Sequence, residues 1–252
     1  MLKKRLIPVL LLKQGRMVKG RQFRDYRDTG DPISAARIYN AQKTDELVFL
    51  DIDASHENRR TLVRVIEEVS KECFMPFTVG GGVRAIEDVR NLLNAGADKV
   101  LINSAAVENP QLVTDAANVF GRQCIVAGID ARRENGHYRV YVEGAKVPTD
   151  VDLVEHVRCL ETMGAGEIFI NSIDQDGMMN GYDHDLLKLV VAATKLPVIA
   201  CGGAGNFQHL VDAFDINGVH AVACASLFHF GDNNPIRARA FLRNKGVPVK
   251  NV

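Results

Sequence analysis

Four aspartates carry most of the chemistry this sequence could perform. Asp51 closes the apolar run that starts at Leu47, Asp130 follows CIVAGI, and Asp174 and Asp176 lie in IDQDG, just beyond Ile168 to Ile170. A carboxylate at the end of a buried strand can act as general acid or base when burial and neighbours tune its pKa. Asp130 is the leading candidate, although Arg132 and Arg133 beside it fit a structural salt bridge as well. Glycines offer a second kind of chemistry. Gly80, Gly81 and Gly82 follow Pro76 to Val79, and Gly202, Gly203, Ala204 and Gly205 follow Pro197 to Ala200. Such clusters let backbone N–H groups close on an anion, and a helix opening there adds a dipole that favours phosphate. Ser104 and Ser226 follow the next apolar runs and can add hydroxyls. Together the clusters suggest a ligand with a phosphate at each end; tight turns are the plainer reading. Lys19 can pair an anion or orient a substrate oxygen, or is a solvated loop lysine. The seven histidines form no HExxH pattern and no Cys/His cluster, so neither a metal nor another cofactor is expected.

Positioning these residues requires a frame, and the apolar runs supply it. Leu6 to Leu12, Leu47 to Ile52, Pro76 to Val79, Lys99 to Ile102, Cys124 to Ile129, Ile168 to Ile170, Pro197 to Ala200 and His220 to Cys224 read as eight strands. Nearly unbroken apolar character marks strands buried on both faces, hence a parallel sheet covered by helices. Amphipathic stretches such as Glu57 to Lys71, Ala85 to Asn94, Gln111 to Phe120, Asp152 to Met163 and Phe207 to Phe214 lie between them. The fold class is therefore α/β, a (β/α)8 TIM barrel forming a single domain over residues 1–252. ELVFLDI from Glu46 is repeated as EIFINSI from Glu167, PFTVGGGV from Pro76 as PVIACGGAG from Pro197, and KVLINSAAV from Lys99 as HAVACASLF from His220. Each pair is 121 residues apart, so two half-barrels related by a pseudo-twofold axis are expected. Active sites of such barrels sit on the loops after the strand C-termini, where the aspartates and glycines fall. Aligning the first strands of the halves sets Leu11 opposite Asp130, and Leu11 cannot exchange a proton. At the other face Arg5, Glu46, Lys99 and Glu167 mark where strands begin. They are either solvated strand ends or, if they point inward, a ring of ion pairs across the barrel floor.

Composition narrows the partners. Lys plus Arg and Asp plus Glu both number 31 across 252 residues, so no net positive field exists to hold nucleic acid or an anionic membrane. Arg21 to Arg27 is basic but alternates with Asp25 and Asp28, which reads as a mobile polar loop. Five scattered cysteines without CxxC spacing suit reduced thiols and a cytoplasmic setting. MLKKRLIPVLLL is too short and lacks the cleavage site of a leader, so it reads as the first strand.

The motifs RLIPVLLLKQGRMVKG, GDP, DELVFLDI, PFTVGGGV, GADKVLINSAAVENP, CIVAGIDARR, GAGEIFINSIDQDG, GYD, PVIACGGAGN and SLFHFG resemble the HisF family, the cyclase subunits of imidazole glycerol phosphate synthase, almost end to end. The resemblance implies a barrel that takes ammonia from a HisH glutaminase docked at its N-terminal face. It implies a lyase/cyclase reaction at the other face, in which ammonia and a bisphosphorylated ribulosyl ribotide give imidazole glycerol phosphate and an aminoimidazole carboxamide ribotide. By the same resemblance Arg5, Glu46, Lys99 and Glu167 match the family's charged gate. Lys19, Asp51, Asn103, Asp130, Asp176 and the glycines at 81, 82, 202 and 203 match its ligand-handling positions, and Asp98 matches a position at the glutaminase interface. Three departures stand out. Leu11 occupies the place of one of two catalytic aspartates, Asn171 stands where Thr is usual, and Met178 and Met179 replace a small polar and a basic residue. These departures resemble a side branch of HisF-like barrels that accompany a HisH-like glutaminase and a sugar amidotransferase in amidating a surface-polysaccharide sugar. A third expectation is a scaffold that only activates the glutaminase.

Overall fold

The computed structural model describes residues 3–54 and 63–251. Twelve strands are seen among them: β1 (Arg5–Lys13), β2 (Arg16–Arg21), β3 (Arg24–Gly30), β4 (Leu47–Asp51), β5 (Phe77–Gly80), β6 (Lys99–Ile102), β7 (Ile125–Glu134), β8 (His137–Val142), β9 (Val147–Asp152), β10 (Glu167–Ser172), β11 (Val198–Cys201) and β12 (Val219–Cys224). The helices are α1 (Pro32–Ala41), α2 (Val63–Glu72), α3 (Ile86–Asn94), α4 (Ser104–Glu108), α5 (Gln111–Phe120), α6 (Leu153–Thr162), α7 (His184–Ala193), α8 (Phe207–Phe214), α9 (Ser226–His229) and α10 (Pro235–Asn244).

Eight of the strands pair in parallel in the order β1, β4, β5, β6, β7, β10, β11, β12, and β12 returns to β1. The sheet is closed, which removes the exposed edges an open parallel sheet would leave. These eight coincide with the apolar runs of the sequence, and the (β/α)8 barrel is the observed fold. Alternation along each strand divides the core in two. Leu6, Leu10 and Leu12 of β1 join the large cluster between strands and helices. Ile7 and Val9 instead meet Val48, Leu101, Val126, Phe169, Ile199, Ala221 and Ala223 in a separate interior cluster. That second cluster lines the axis with apolar side chains, as period-2 strand geometry dictates. On the helix-facing side of the neighbouring strands β4 and β5, Phe49 and Phe77 pack edge to face, centroids 6.0 Å apart, an arrangement that contributes about 0.5–1.5 kcal/mol beyond area burial.

The helices obey local rules. Asp31, Asp152, Asp183, Asn206 and Asn234 cap α1, α6, α7, α8 and α10 by accepting the backbone N–H three residues on, each contributing about 1 kcal/mol. The stretch Glu57 to Lys71 is seen as α2 from Val63; its first residues, through 62, lie outside the described residues.

The two halves match as the repeat implies. Each opens with a long strand carrying an antiparallel ribbon, β2–β3 on β1 and β8–β9 on β7. In each, the last barrel strand leads into a short helix opening on Ser104 or Ser226, followed by a longer one. Residues Arg21 to Arg27, expected as a polar loop, are corrected here: they are the turn and arms of the β2–β3 ribbon. The register sets Lys19 opposite Arg27 and Val18 opposite Asp28, and Asp28 pairs with Arg16 at 2.7 Å. Gln22 and Phe23, both at positive φ, make the turn. No helix is long and apolar enough to cross a membrane among the described residues.

Candidate active site

At the C-terminal rim the strands and the two ribbons enclose a cavity of about 270 Å³. Lys19, Asp51, Asn103, Ser104, Gly81, Asp130 and Asp176 all line it, so residues from six separate parts of the chain converge. Asp130 is 8% exposed. Its two oxygens accept from the carboxamides of Asn103 (2.9 Å) and Asn171 (3.3 Å). Burial pushes its carboxyl up to about 7, against the pull of those two hydrogen bonds, and the nearby Asp176 charge adds to the rise. No Lys or Arg pairs with it among the described residues. Arg132 and Arg133, the candidates for a structural bridge, turn away: Arg132 lies over the Tyr141 ring at 4.8 Å and Arg133 reaches Asp185 at 3.4 Å. A half-ionised carboxyl at neutral pH, braced on both sides, can both give and take a proton.

Leu11 lies on the cavity wall with Leu50, Cys201 and Ala225, packed on the interior apolar cluster. The β1 side of the mouth is therefore apolar at the position corresponding to Asp130. Asp51 is also buried and accepts from Ala54 N at 3.2 Å, and it sits on the same wall.

The β2–β3 ribbon folds over the opening. Lys19 is 3% exposed and pairs with Asp176 at 2.5 Å. Gln22 N donates to Asp176 O at 2.8 Å and the Gln22 side chain to Asp174 O at 3.0 Å. The ribbon is thus clasped to the loop after β10, with Phe23 and Tyr26 facing the cavity. Burial, with the Asp176, Asp130 and Asp53 charges, pushes the Tyr26 phenol far up, so it stays protonated and available as a donor. Lys146, in the β8–β9 turn, reaches the rim from the other ribbon. None of Phe23, Tyr26 and Lys146 stands out in the sequence, because only the folded-back ribbons bring them to the mouth.

The two glycine clusters differ. Gly81, Gly82, Arg84 and Ser104 line a recess of about 260 Å³ that adjoins the main cavity through Gly81, Leu101, Asn103 and Ser104. Gly81 has φ +101, and a Cβ there would collide with the Asp51 carbonyl, so the residue type is fixed by backbone approach. Gly202, Gly203 and Ser226 are not among the residues lining the main cavity. Gly203 instead packs under the loop after β10, its carbonyl accepting from Gly181 N at 2.8 Å, and a Cβ on it would meet Gly181 O.

At the opposite end of the axis the four charged strand starts form a closed ring. Arg5 pairs with Glu46 (2.7 Å) and Glu167 (3.0 Å), and Lys99 pairs with Glu46 (3.1 Å) and Glu167 (3.4 Å). Glu46 also accepts from Thr78 Oγ1 at 2.8 Å. The side chains turn inward and are mostly buried, so the reading as solvated strand ends gives way to a ring of ion pairs. Asp98, just outside it, accepts from Phe77 N at 2.9 Å and stays exposed on this face. Among the described residues no group of His, Cys, Asp and Glu is arranged to hold a metal ion.

A family model described as histidine biosynthesis protein matches residues 5–234. That span takes in all eight barrel strands, the charged ring, Asp130 and both glycine clusters. The chain belongs to the histidine biosynthesis protein family, whose members are barrel enzymes.

Proposed function

We propose that this chain is the HisF-like barrel subunit of a two-protein glutamine amidotransferase. In this reading a HisH-like glutaminase docks on the N-terminal face around Asp98 and releases ammonia beneath the ring of Arg5, Glu46, Lys99 and Glu167. The observation that carries the proposal is that ring, closed by four ion pairs directly below an apolar axis. An ammonium ion cannot enter such an interior without a desolvation cost of many kcal/mol, whereas neutral ammonia can. The ring therefore suits a gate that admits the uncharged nucleophile. At the other end the nitrogen meets a phosphorylated acceptor, one phosphate lying in the recess of Gly81, Gly82 and Ser104 and a second at Gly202, Gly203 and Ser226. Asp130 exchanges protons with the reacting groups, and Lys19, Asp51, Asn103 and Asp176 hold the acceptor under the ribbon. The enzyme is a lyase/cyclase of cytoplasmic histidine biosynthesis by this reading.

Leu11 favours a second acceptor. Positioned acid–base groups contribute about 10²–10⁴-fold each, and the apolar β1 wall lacks one. Amidation of a surface-polysaccharide sugar, with a sugar amidotransferase as third partner, needs the gate and the nucleophile but not that second carboxylate. The test is turnover of the ribulosyl ribotide with ammonium salts, and with glutamine plus a HisH-like glutaminase. Consumption of the ribotide supports the cyclase. Glutaminase stimulation without consumption favours the amidation branch or an activator without chemistry of its own. Absence of both refutes the pairing.

A further inference from the structure

Asn171 is one inward step above Phe169 on β10, in register with Asp130 on β7 and Cys201 on β11. Its carboxamide nitrogen donates to Asp130, which turns the carboxamide oxygen to the other side. The residue is 7% exposed, and Oδ1 is buried with no hydrogen-bond partner. Buried acceptors in folded proteins are nearly always satisfied, and an orphan at a functional cavity calls for a donor. The β11 flank of this oxygen is kept bare: Gly202 has φ +90, and a Cβ on it would come within 2.9 Å of Asn171 Oδ1. Asn171, Asp130 and Cys201 share the wall of the mouth cavity.

We propose that Asn171 Oδ1 is the acceptor that receives an N–H of ammonia as it leaves the apolar axis, a role that rests on the ammonia-transfer reading above. The place fits the ligand. Phe169 belongs to the apolar interior directly below, so Asn171 and Asp130 present the first polar atoms that a molecule rising on this side meets. Ammonia has three N–H donors and one lone pair. Two N–H groups held by Asn171 Oδ1 and the Asp130 carboxylate leave the lone pair free to face an acceptor in the cavity. A phosphate oxygen, which has no proton to give when fully ionised, is repelled by the same oxygen.

Two variants of one shape separate this role from mere support of Asp130. Asn171→Thr retains an oxygen acceptor and Asn171→Val does not, while neither keeps the carboxamide. With ammonium chloride and the ribulosyl ribotide, Asn171→Val raises KM for ammonium about tenfold, and Asn171→Thr stays within about twofold of the parent. Asn103→Leu, which removes the other donor to Asp130, lowers kcat with the ammonium KM unmoved. Equal ammonium KM values for the parent and both Asn171 variants overturn the proposal and leave Asn171 as a positioning residue for Asp130. If the ribotide is not turned over at all, the cyclase reading fails but this one is still decided. The side-chain amide resonances of Asn171 are then followed by NMR at mildly alkaline pH. A saturable shift with ammonium chloride but not with tetramethylammonium chloride supports the site, and no ammonium-specific shift overturns it.

Discussion

Replacing Asp130 by Asn removes one titrating group from the mouth while preserving its size, and so isolates the protonation of that carboxyl. Burial pushes the folded-state value up to about 7, against about 3.9 in an unfolded chain. The folded protein therefore holds a proton that the unfolded chain has already lost. The stability linked to that proton is complete below the unfolded value and is lost as pH rises through the folded one. Between about pH 5 and about pH 8 the loss spans roughly two pK units, or about 2–3 kcal/mol. Asp130→Asn escapes it. The variant's unfolding free energy relative to the parent, measured in urea at the two pH values, should rise by about 2–3 kcal/mol. In a thermal melt the same difference appears as about 5–10 °C. Turnover of the same variant should fall by about 10²–10⁴-fold. A variant-minus-parent difference that is flat across this pH range would show that Asp130 ionises like an ordinary surface carboxylate, and would refute its assignment as the proton-exchanging group.

Substitutions at three further positions address the rest of the molecule's machinery. Glu46→Ala strips the ring of the carboxylate that pairs with Arg5 and Lys99 and accepts from Thr78. It should cost about 3–5 kcal/mol in urea melts, and Glu46→Gln should weaken glutamine-supported turnover more than ammonium-supported turnover. Leu11→Asp restores a carboxylate to the cavity wall and should raise ribotide turnover at least about tenfold; no gain would place the missing chemistry in a different acceptor. Lys19→Met leaves Asp176 buried without its cation and loosens the ribbon clasp, so KM for the acceptor should rise and stability fall by about 3–5 kcal/mol, checked by steady-state kinetics beside a denaturant melt.

The barrel was legible because its strands are buried on both faces, so their apolar runs leave a signal that needs no partner information. The ribbons β2–β3 and β8–β9 were not. All the residues of β3 and β9 are exposed or half-buried, and their pairing rests on backbone geometry that side-chain polarity does not report. With them went Phe23, Tyr26 and Lys146. Asp130 could be located from the run before it, but the choice between a salt bridge and a braced, half-ionised carboxyl depends on which strands close beside β7. Closure brings the carboxamides of β10 and of the residue after β6 to it and turns Arg132 and Arg133 outward. The charge ring shows the same limit from the other end: Arg5 and Glu167 are 162 residues apart, and only the closed sheet sets them face to face. The second glycine cluster carries a sequence signature equal to the first, yet its backbone is spent partly on packing against Gly181.

The most direct test of ammonia passage from floor to mouth uses glutamine labelled with ¹⁵N in its side-chain amide. The complex with a HisH-like glutaminase is supplied with labelled glutamine, unlabelled ammonium and the acceptor, and the product is weighed by mass spectrometry. Passage through the ring predicts a product carrying the glutamine nitrogen, with the label diluted when Glu46→Gln opens the ring to the bulk pool. A product whose label matches the bulk ammonium from the outset would contradict it.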